Sequence, residues 1–256
     1  MGDRLADRVI VIVGASSGIG LATATLCASE GARVVMLARG RERLEAHAAE
    51  LGATPVVCDV ADPSSVRAAF GEIDERFGRV DALLNVAGVA RIRRIEDATD
   101  EDIHHVIGVD LLGPIYTTRA AVPLMRRAGG GDIVNVSSEI TGDYLPYMVL
   151  YGVAKGGLDT FSRMMVHELK DDNIRVCNYV SGSVATDFGV NFAPEEIGAA
   201  FPAWEASGYM TRVAGPGQDP AWMAEAFLFQ LTRPAGQMVD VIHVRSFAPG
   251  HAAIAQ

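Results

Sequence analysis

In the stretch YGVAK, Tyr151 stands four residues ahead of Lys155. At that spacing the two side chains share one face of a helix. A phenol beside an ammonium is a pair that can pass a proton. The same spacing occurs on any ordinary helix, so it does not decide the matter alone. A second stretch, VGASSGIG, asks for a ligand: it follows a short apolar run and opens a helical pattern, with glycines at Gly14, Gly18 and Gly20. Strand, glycine turn and helix in that order form a cradle for a dinucleotide pyrophosphate. Gly14 permits the tight turn, Gly18 lets backbone approach the anion, and Gly20 lets helix and strand pack closely. Ser16, Ser17, Gly18 and Ile19 then fall where a helix start turns N–H groups toward a phosphate. The second apolar run ends in MLARGRER. Ala38 stands where an acid would bond the ribose 2′-hydroxyl of NAD, and Arg39 follows, a residue suited to the 2′-phosphate of NADP. NADP(H) is therefore expected in preference to NAD(H), with Arg41 and Arg43 as helix-surface charge.

These residues need a frame. Seven short apolar runs, at 9–13, 33–37, 55–60, 80–86, 132–137, 174–180 and 237–244, alternate with helical patterns. Runs that are apolar throughout suit parallel strands covered on both faces. Asp62-Pro63 marks one helix start, with proline at the first helical position. Thr99 with Asp102 marks another, as a capping box in which Asp replaces Glu or Gln. The alternation predicts an α/β fold: a Rossmann-type, doubly wound parallel sheet of about seven strands with helices on both faces, in a single domain over 1–256. Residues 183–217 lack a strong period and mix aromatics with Gly and Pro, which predicts a lid over a substrate.

Composition removes several classes. The 256 residues carry a formal net charge of −10. Nucleic acid and anionic membrane both reward Lys and Arg, so neither is expected as a partner. Arg91, Arg93 and Arg94 form a basic knot, but Glu96 and Asp97 follow, and the segment reads as a solvated loop. Cys27, Cys58 and Cys177 are odd in number and widely spaced, which fits reduced thiols and a cytoplasmic location. No signal peptide or long apolar span is evident. His104-His105 lies on a helical pattern without a third ligand at zinc spacing, so no metal is expected.

GxxxGxG with YxxxK far downstream resembles the short-chain dehydrogenase/reductase family, classical type, over almost the whole chain. Cys58-Asp59-Val60 looks like the segment that borders the adenine. Asn85-Val86-Ala87-Gly88 is similar to the family's NNAG. IVNVSS offers Ser138, thirteen residues before Tyr151. The resemblance implies a cofactor site of Gly14, Ser16, Ser17, Gly18, Ile19, Gly20, Arg39, Asp59, Val60, Asn85, Ala87, Gly88, Val184 and Thr186, together with Tyr151 and Lys155. It implies that Tyr151 exchanges a proton with a carbonyl or alcohol oxygen and that Lys155 holds the ribose hydroxyls. Ser138 would bond the substrate oxygen. Lys155 and the positive nicotinamide would lower the phenol's pKa toward working pH. Tyr144 and Tyr147 have no lysine four residues on. Ser137 should face away from Ser138, because strand side chains alternate.

The chain departs from the family in four places, the first being Val86 in the second position of NNAG. Asp110 stands where an asparagine helps to anchor a water; an ionised carboxylate there would stabilise the ammonium and raise the Tyr151 pKa. Ser181-Gly182 replaces Pro-Gly. VIHVRSFAPG replaces the Asp-Gly-Gly that follows the last strand. The implied function is that of an NADP(H)-dependent carbonyl reductase or secondary alcohol dehydrogenase; the alternative is a dinucleotide-binding sensor or interaction protein with little catalysis. Phe188, Phe192, Phe201, Trp204, Tyr209 and Met210 suggest a moderately apolar small-molecule substrate. A homo-oligomer, tetramer or dimer, is implied, with the helix over 151–170 at an interface through Leu158, Phe161, Met164 and Met165.

Overall fold

The computed structural model describes residues 2–189, 192–209 and 217–246. β1 (Val9–Val13) is buried at every position. Its side chains alternate: Val9, Val11 and Val13 enter one core and Ile10 and Ile12 the other. That division follows from the period of two along a strand. On one face the sheet is covered by α3 (Pro63–Phe77), α5 (Gly113–Ala128) and α7 (Val149–Leu169), and on the other by α1 (Gly18–Ser29), α2 (Arg41–Leu51) and α9 (Pro220–Leu231).

The remaining strands are β2 (Arg33–Ala38), β3 (Thr54–Val57), β4 (Ala82–Asn85), β5 (Gly131–Ser138), β6 (Ile174–Ser181) and β7 (Val241–Val244). All neighbours are parallel, in the order β3-β2-β1-β4-β5-β6-β7. The chain winds outward from β1 to β3, then returns to β4 and winds the other way. Ligands of such sheets bind at the strand C-termini where the direction reverses. Here that crevice lies between the turns after β1 and β4. The seven strands are those expected, with ends shifted; β7 begins only at Val241, beyond Pro234 and a left-handed Gly236 (φ +83°).

The expected caps form. Asp62 accepts a bond from Ser64 N–H with Pro63 behind it. Thr99 and Asp102 close both bonds of a capping box at α4 (Asp100–Ile107). Between α4 and α5 the helix widens into a π turn, Gly108–Leu112. Pro114 has no N–H for the carbonyl of Asp110, four residues back, and its ring crowds that carbonyl. Such turns inside helices are frequent at functional sites.

Two surface readings are corrected. Arg91 and Arg93 are not simply solvated: both reach the Asp102 carboxylate, and Arg93 also pairs with Glu196 of α8 (Pro194–Ala206). On α7, Leu158 is fully buried and Met165 packs on the core, while Val149, Val153 and Met164 face outward. The helical period carries Leu158 to the sheet side with Ala154 and Lys155. No helix among the described residues is long and apolar enough to cross a membrane.

Candidate active site

The crevice begins at the glycine turn. Gly14 has φ +86°, and a Cβ there would meet the Ala87 backbone at 2.8 Å. The turns after β1 and β4 therefore touch, with no room for a side chain between them. A Cβ on Gly20 would strike the Gly14 carbonyl oxygen at 2.2 Å, which is the close packing expected of that glycine. Gly18 has φ +51°, and its built Cβ would meet Thr186 at 3.0 Å. Ser17 precedes α1 in extended conformation and makes no side-chain cap bond, and the first turn holds no acidic residue. The helix start thus keeps its N–H groups and its positive end for an anion. Ser16, Ser17, Gly18 and Ile19 are all half-buried along this rim.

The far end of the crevice lies at the ends of β2 and β3. Arg41 pairs with Glu45 and Arg43 with Asp187, whereas Arg39 is exposed and forms no ion pair among the described residues. Asp59 caps its own turn, accepting from Ala61 N–H at 3.0 Å, and Val60 is buried against the start of α5. These groups fit a phosphorylated dinucleotide: a backbone cradle that a Cβ would fill, an uncapped helix start and a free guanidinium. Asn85 differs. Its amide is buried, donating to Asn135 at 2.8 Å and accepting from Thr117 at 2.7 Å. That side chain ties β4 to β5 and α5, so Asn85 can offer the crevice only backbone.

The other end carries the titratable groups. α7 begins one turn after Tyr144 and Tyr147, both held at positive φ, and presents Tyr151 and Lys155 inward. Lys155 Nζ donates to the Val136 carbonyl of β5 at 2.9 Å. It also lies 2.9 Å from Asp110 Oδ1, in an ion pair whose partners are almost wholly buried. Asp110 Oδ2 accepts from Val89 N–H at 2.9 Å. Gly88 leaves room for this, since its built Cβ would come within 3.0 Å of Oδ1. Lys155 Nζ is 5.7 Å from the centre of the Tyr151 ring. Ser138, half-buried at the end of β5, acts on the Tyr151 phenol to favour its charged form, while its Oγ accepts from Ile140 N–H at 3.3 Å; Ser137 is buried.

Charge in this dry site is balanced tightly. Burial pushes the Asp110 carboxyl up from its ordinary value, and Lys155 pulls against it. Burial acts to lower Lys155, but Asp110 and Tyr151 outweigh it and hold the ammonium above the ordinary lysine range. The Tyr151 phenol is pushed up, first by burial, with Lys155 opposing and Asp110 reinforcing. The expected fall in the phenol's pKa is therefore reversed for the protein's own groups: Asp110 offsets the ammonium at close range, and burial does the rest.

Above Tyr151 sits a small apolar cluster of Ala90, Ile140, Leu145 and Met148, against which Phe192, Trp204 and Tyr209 pack. Phe188 stacks at 5.6 Å from the Tyr151 ring. Phe201 is instead exposed, and Met210 lies outside the described residues. Trp204 is anchored by its indole N–H to the Pro146 carbonyl at 2.7 Å. Val184 bridges to Gln218, which brackets the segment between them.

Residues 8–196 match the short chain dehydrogenase family. The chain belongs to that family. This short-chain dehydrogenase is 35% identical over 198 residues to a 3-oxoacyl-acyl-carrier-protein reductase of Homo sapiens, covering 77% of this chain and 84% of the relative. It is 36% identical over 191 residues to a D-threitol dehydrogenase of Mycolicibacterium smegmatis, covering 73% and 74%. Its fold matches L-sorbose reductase of Gluconobacter frateurii, solved with NADPH and L-sorbose, at a TM-score of 0.81 and 32% identity, over 96% of this chain and 97% of that one. The short-chain dehydrogenase is thus an NAD(P)-dependent oxidoreductase acting on CH–OH groups. Sequence reasoning missed the Val136 carbonyl and the Val89 N–H, which are backbone groups without a sequence signal.

Proposed function

We propose that the chain is an NADP(H)-dependent carbonyl reductase or secondary alcohol dehydrogenase with Tyr151 as general acid and base. The observation that carries this reading is the meeting of Ser138, Tyr151, Lys155 and Asp110 at one end of a crevice whose other end holds Arg39, which has no ion pair among the described residues. A sensor without catalysis has no use for a half-buried phenol beside a buried ammonium. The NADPH bound by the sorbose reductase relative supports the same cofactor here. When bound, the dinucleotide supplies or takes the hydride at the substrate carbon.

The chain's own residues do the rest. The glycine turn, with Ser16, Ser17 and Ile19, holds the pyrophosphate; Arg39 holds the 2′-phosphate; Asp59 and Val60 border the adenine. Ala87, Gly88, Val184 and Thr186 position the nicotinamide half. Ser138 donates to the substrate oxygen. In reduction Tyr151 gives its phenolic proton to that oxygen as hydride reaches the carbon, and Lys155 stabilises the phenolate that remains. In oxidation the same phenolate takes the proton back. Asp110 fixes Lys155 in place. The segment 183–217 acts as a lid, with Phe188, Phe192, Trp204 and Tyr209 excluding water from the reacting atoms. The chain acts as a single catalytic domain in a homo-oligomer, with the outward Val149, Val153 and Met164 of α7 at a subunit contact. Its three buried, unpaired cysteines suit the cytoplasm.

Tyr151→Phe tests the assignment. Turnover of a carbonyl panel with NADPH should fall by about 10³-fold, within the usual range for a lost acid–base group. NADPH affinity, read by fluorescence titration, should change little. Turnover that persists in the variant removes Tyr151 from the chemistry.

A further inference from the structure

Asn85, Asn135 and Asn178 lie in one rung of the sheet: Asn85 pairs with Asn135 between β4 and β5, and Asn135 with Asn178 between β5 and β6. All three are buried. A buried polar side chain is costly unless it is bonded, and these bond in one direction. The Thr117 hydroxyl of α5 donates to Asn85 Oδ1 at 2.7 Å, closer than the Gly113 carbonyl at 3.0 Å. Asn85 Nδ2 donates to Asn135 Oδ1 at 2.8 Å, and Asn135 Nδ2 donates to Ser162 Oγ of α7 at 3.0 Å. Ser162 Oγ then donates to the Leu158 carbonyl at 2.8 Å. On the same rung Asn178 Nδ2 donates to Asp159 Oδ1 at 2.9 Å.

The helices at the two ends of this line carry the charged pair. Asp110 precedes Thr117 by seven residues, on the π turn that runs directly into α5, and Lys155 precedes Ser162 by seven residues on α7. Lys155, Asp159 and Ser162 follow the i, i+4, i+7 spacing of one helix face. Each bonds to the sheet: Lys155 Nζ to the Val136 carbonyl of β5, Asp159 to Asn178 of β6, and Ser162 to Asn135 of β5. Asp110 and Lys155 thus stand about two turns from a bonded line that joins their helices through β4 and β5. Apolar side chains in the rung would fill the same space without direction. Donors and acceptors in series strengthen one another and specify a single arrangement.

We propose that the line Thr117–Asn85–Asn135–Ser162 is a positioning device: it sets the spacing of the two helices, and so holds the Asp110 carboxylate against Lys155 and Tyr151 in its working place. Asn135, bonded on both sides, is the central positioning residue. The four side chains are spent on one another, so they act through the spacing of Asp110 and Lys155 and touch no reacting atom. The proposal rests on the carbonyl reductase reading and deepens it. A break in the line lets the helices shift, and a misplacement of about 1 Å costs about 10²-fold in rate even when its origin is remote.

The test separates kcat from KM for a carbonyl panel with NADPH. Thr117→Val keeps shape and removes the first donor, Ser162→Ala removes the last link, and Asn135→Leu removes the centre. kcat should fall by about 10-fold in the two end variants and about 100-fold in Asn135→Leu, with KM and NADPH affinity changed by less than about 2-fold. Thr117→Ser, which keeps the hydroxyl, should restore kcat. Thr118→Val is the control: Thr118 is also buried on α5, its hydroxyl has no hydrogen-bond partner among the described residues, and kcat should stay at the wild-type value. The end variants decide the matter if Asn135→Leu fails to fold. Wild-type kcat in the folded Thr117, Asn135 and Ser162 variants, or an equal fall in Thr118→Val, overturns the proposal and leaves the reductase reading intact. A wild type that turns over none of the panel removes the reductase reading and this proposal with it.

Discussion

The two ends of the crevice are built on different principles. The glycine end is made of backbone and excluded volume: Gly14 against Ala87, Gly20 against Gly14, Gly18 against Thr186. The Tyr151 end is made of titratable groups taken out of water: Asp110, Lys155 and the phenol, each shifted by burial first and then by a charged neighbour. The first depends on the absence of atoms and is sensitive to any side chain. The second depends on a balance and is sensitive to the loss of any one member.

Variants at each end put that contrast to work. The largest effect should come from Lys155→Met, which leaves Asp110 buried without its cation; breaking such a pair costs about 3–5 kcal/mol. The pH dependence has a definite sign. Lys155 is held above its ordinary value, so its contribution is complete below that value and is lost as pH rises through the raised one. Urea unfolding at pH 8 and near pH 11 should therefore show the gap between wild type and variant narrowing in alkali. A constant gap would mean that the ion pair contributes nothing particular.

Gly14→Ala comes next. The positive φ and the Ala87 backbone leave no relaxed position for the methyl group, and the expected destabilisation is about 2 kcal/mol or more. NADPH affinity should fall with it. Gly52 is the control: it also has positive φ, +63°, but its built Cβ meets nothing, so Gly52→Ala should cost less. Equal costs at the two positions would refute the steric account of the glycine end.

Arg39→Ala should lower the preference for NADPH over NADH by about 10- to 100-fold, the worth of one charge-assisted contact, measured by titration with each cofactor. Arg43→Ala, which removes an exposed pair with Asp187, should leave stability within about 0.5 kcal/mol. Asp110→Asn is read through its pH profile. The phenol faces Lys155, Asp110, Ser138 and Tyr209. Removing the Asp110 charge lets the Tyr151 pKa fall, and reduction needs the protonated phenol. The alkaline limb of kcat/KM for reduction should move to lower pH by about one unit. A limb that stays in place would separate Asp110 from the proton chemistry.

Much of this was readable before any coordinates. Apolar runs marked the strands because a parallel strand covered on both faces is buried at nearly every position, and the few polar residues there, such as Asn85 and Asn135, bond to each other. Asp62, Pro63, Thr99 and Asp102 declared their helix starts, since capping is local chemistry. Leu158 and Met165 were misread as outward because composition was considered there without the helical phase. β7 was drawn too long because the stretch Gln237-Met238-Val239-Asp240 carries no mark of where pairing with β6 begins. The basic knot at Arg91 and Arg93 looked solvated because its partners, Asp102 and Glu196, are distant in the chain.

The sequence by itself determined the glycine turn and the strand–helix alternation, and placed Tyr151 and Lys155 on one helix face, because each is a matter of residue type at short range. Only the tertiary structure decided that Asp110 contacts Lys155 directly and that the phenol is raised and not lowered. Those outcomes depend on burial and on distances between charges from different strands and helices. A linear chain carries neither quantity until it has folded.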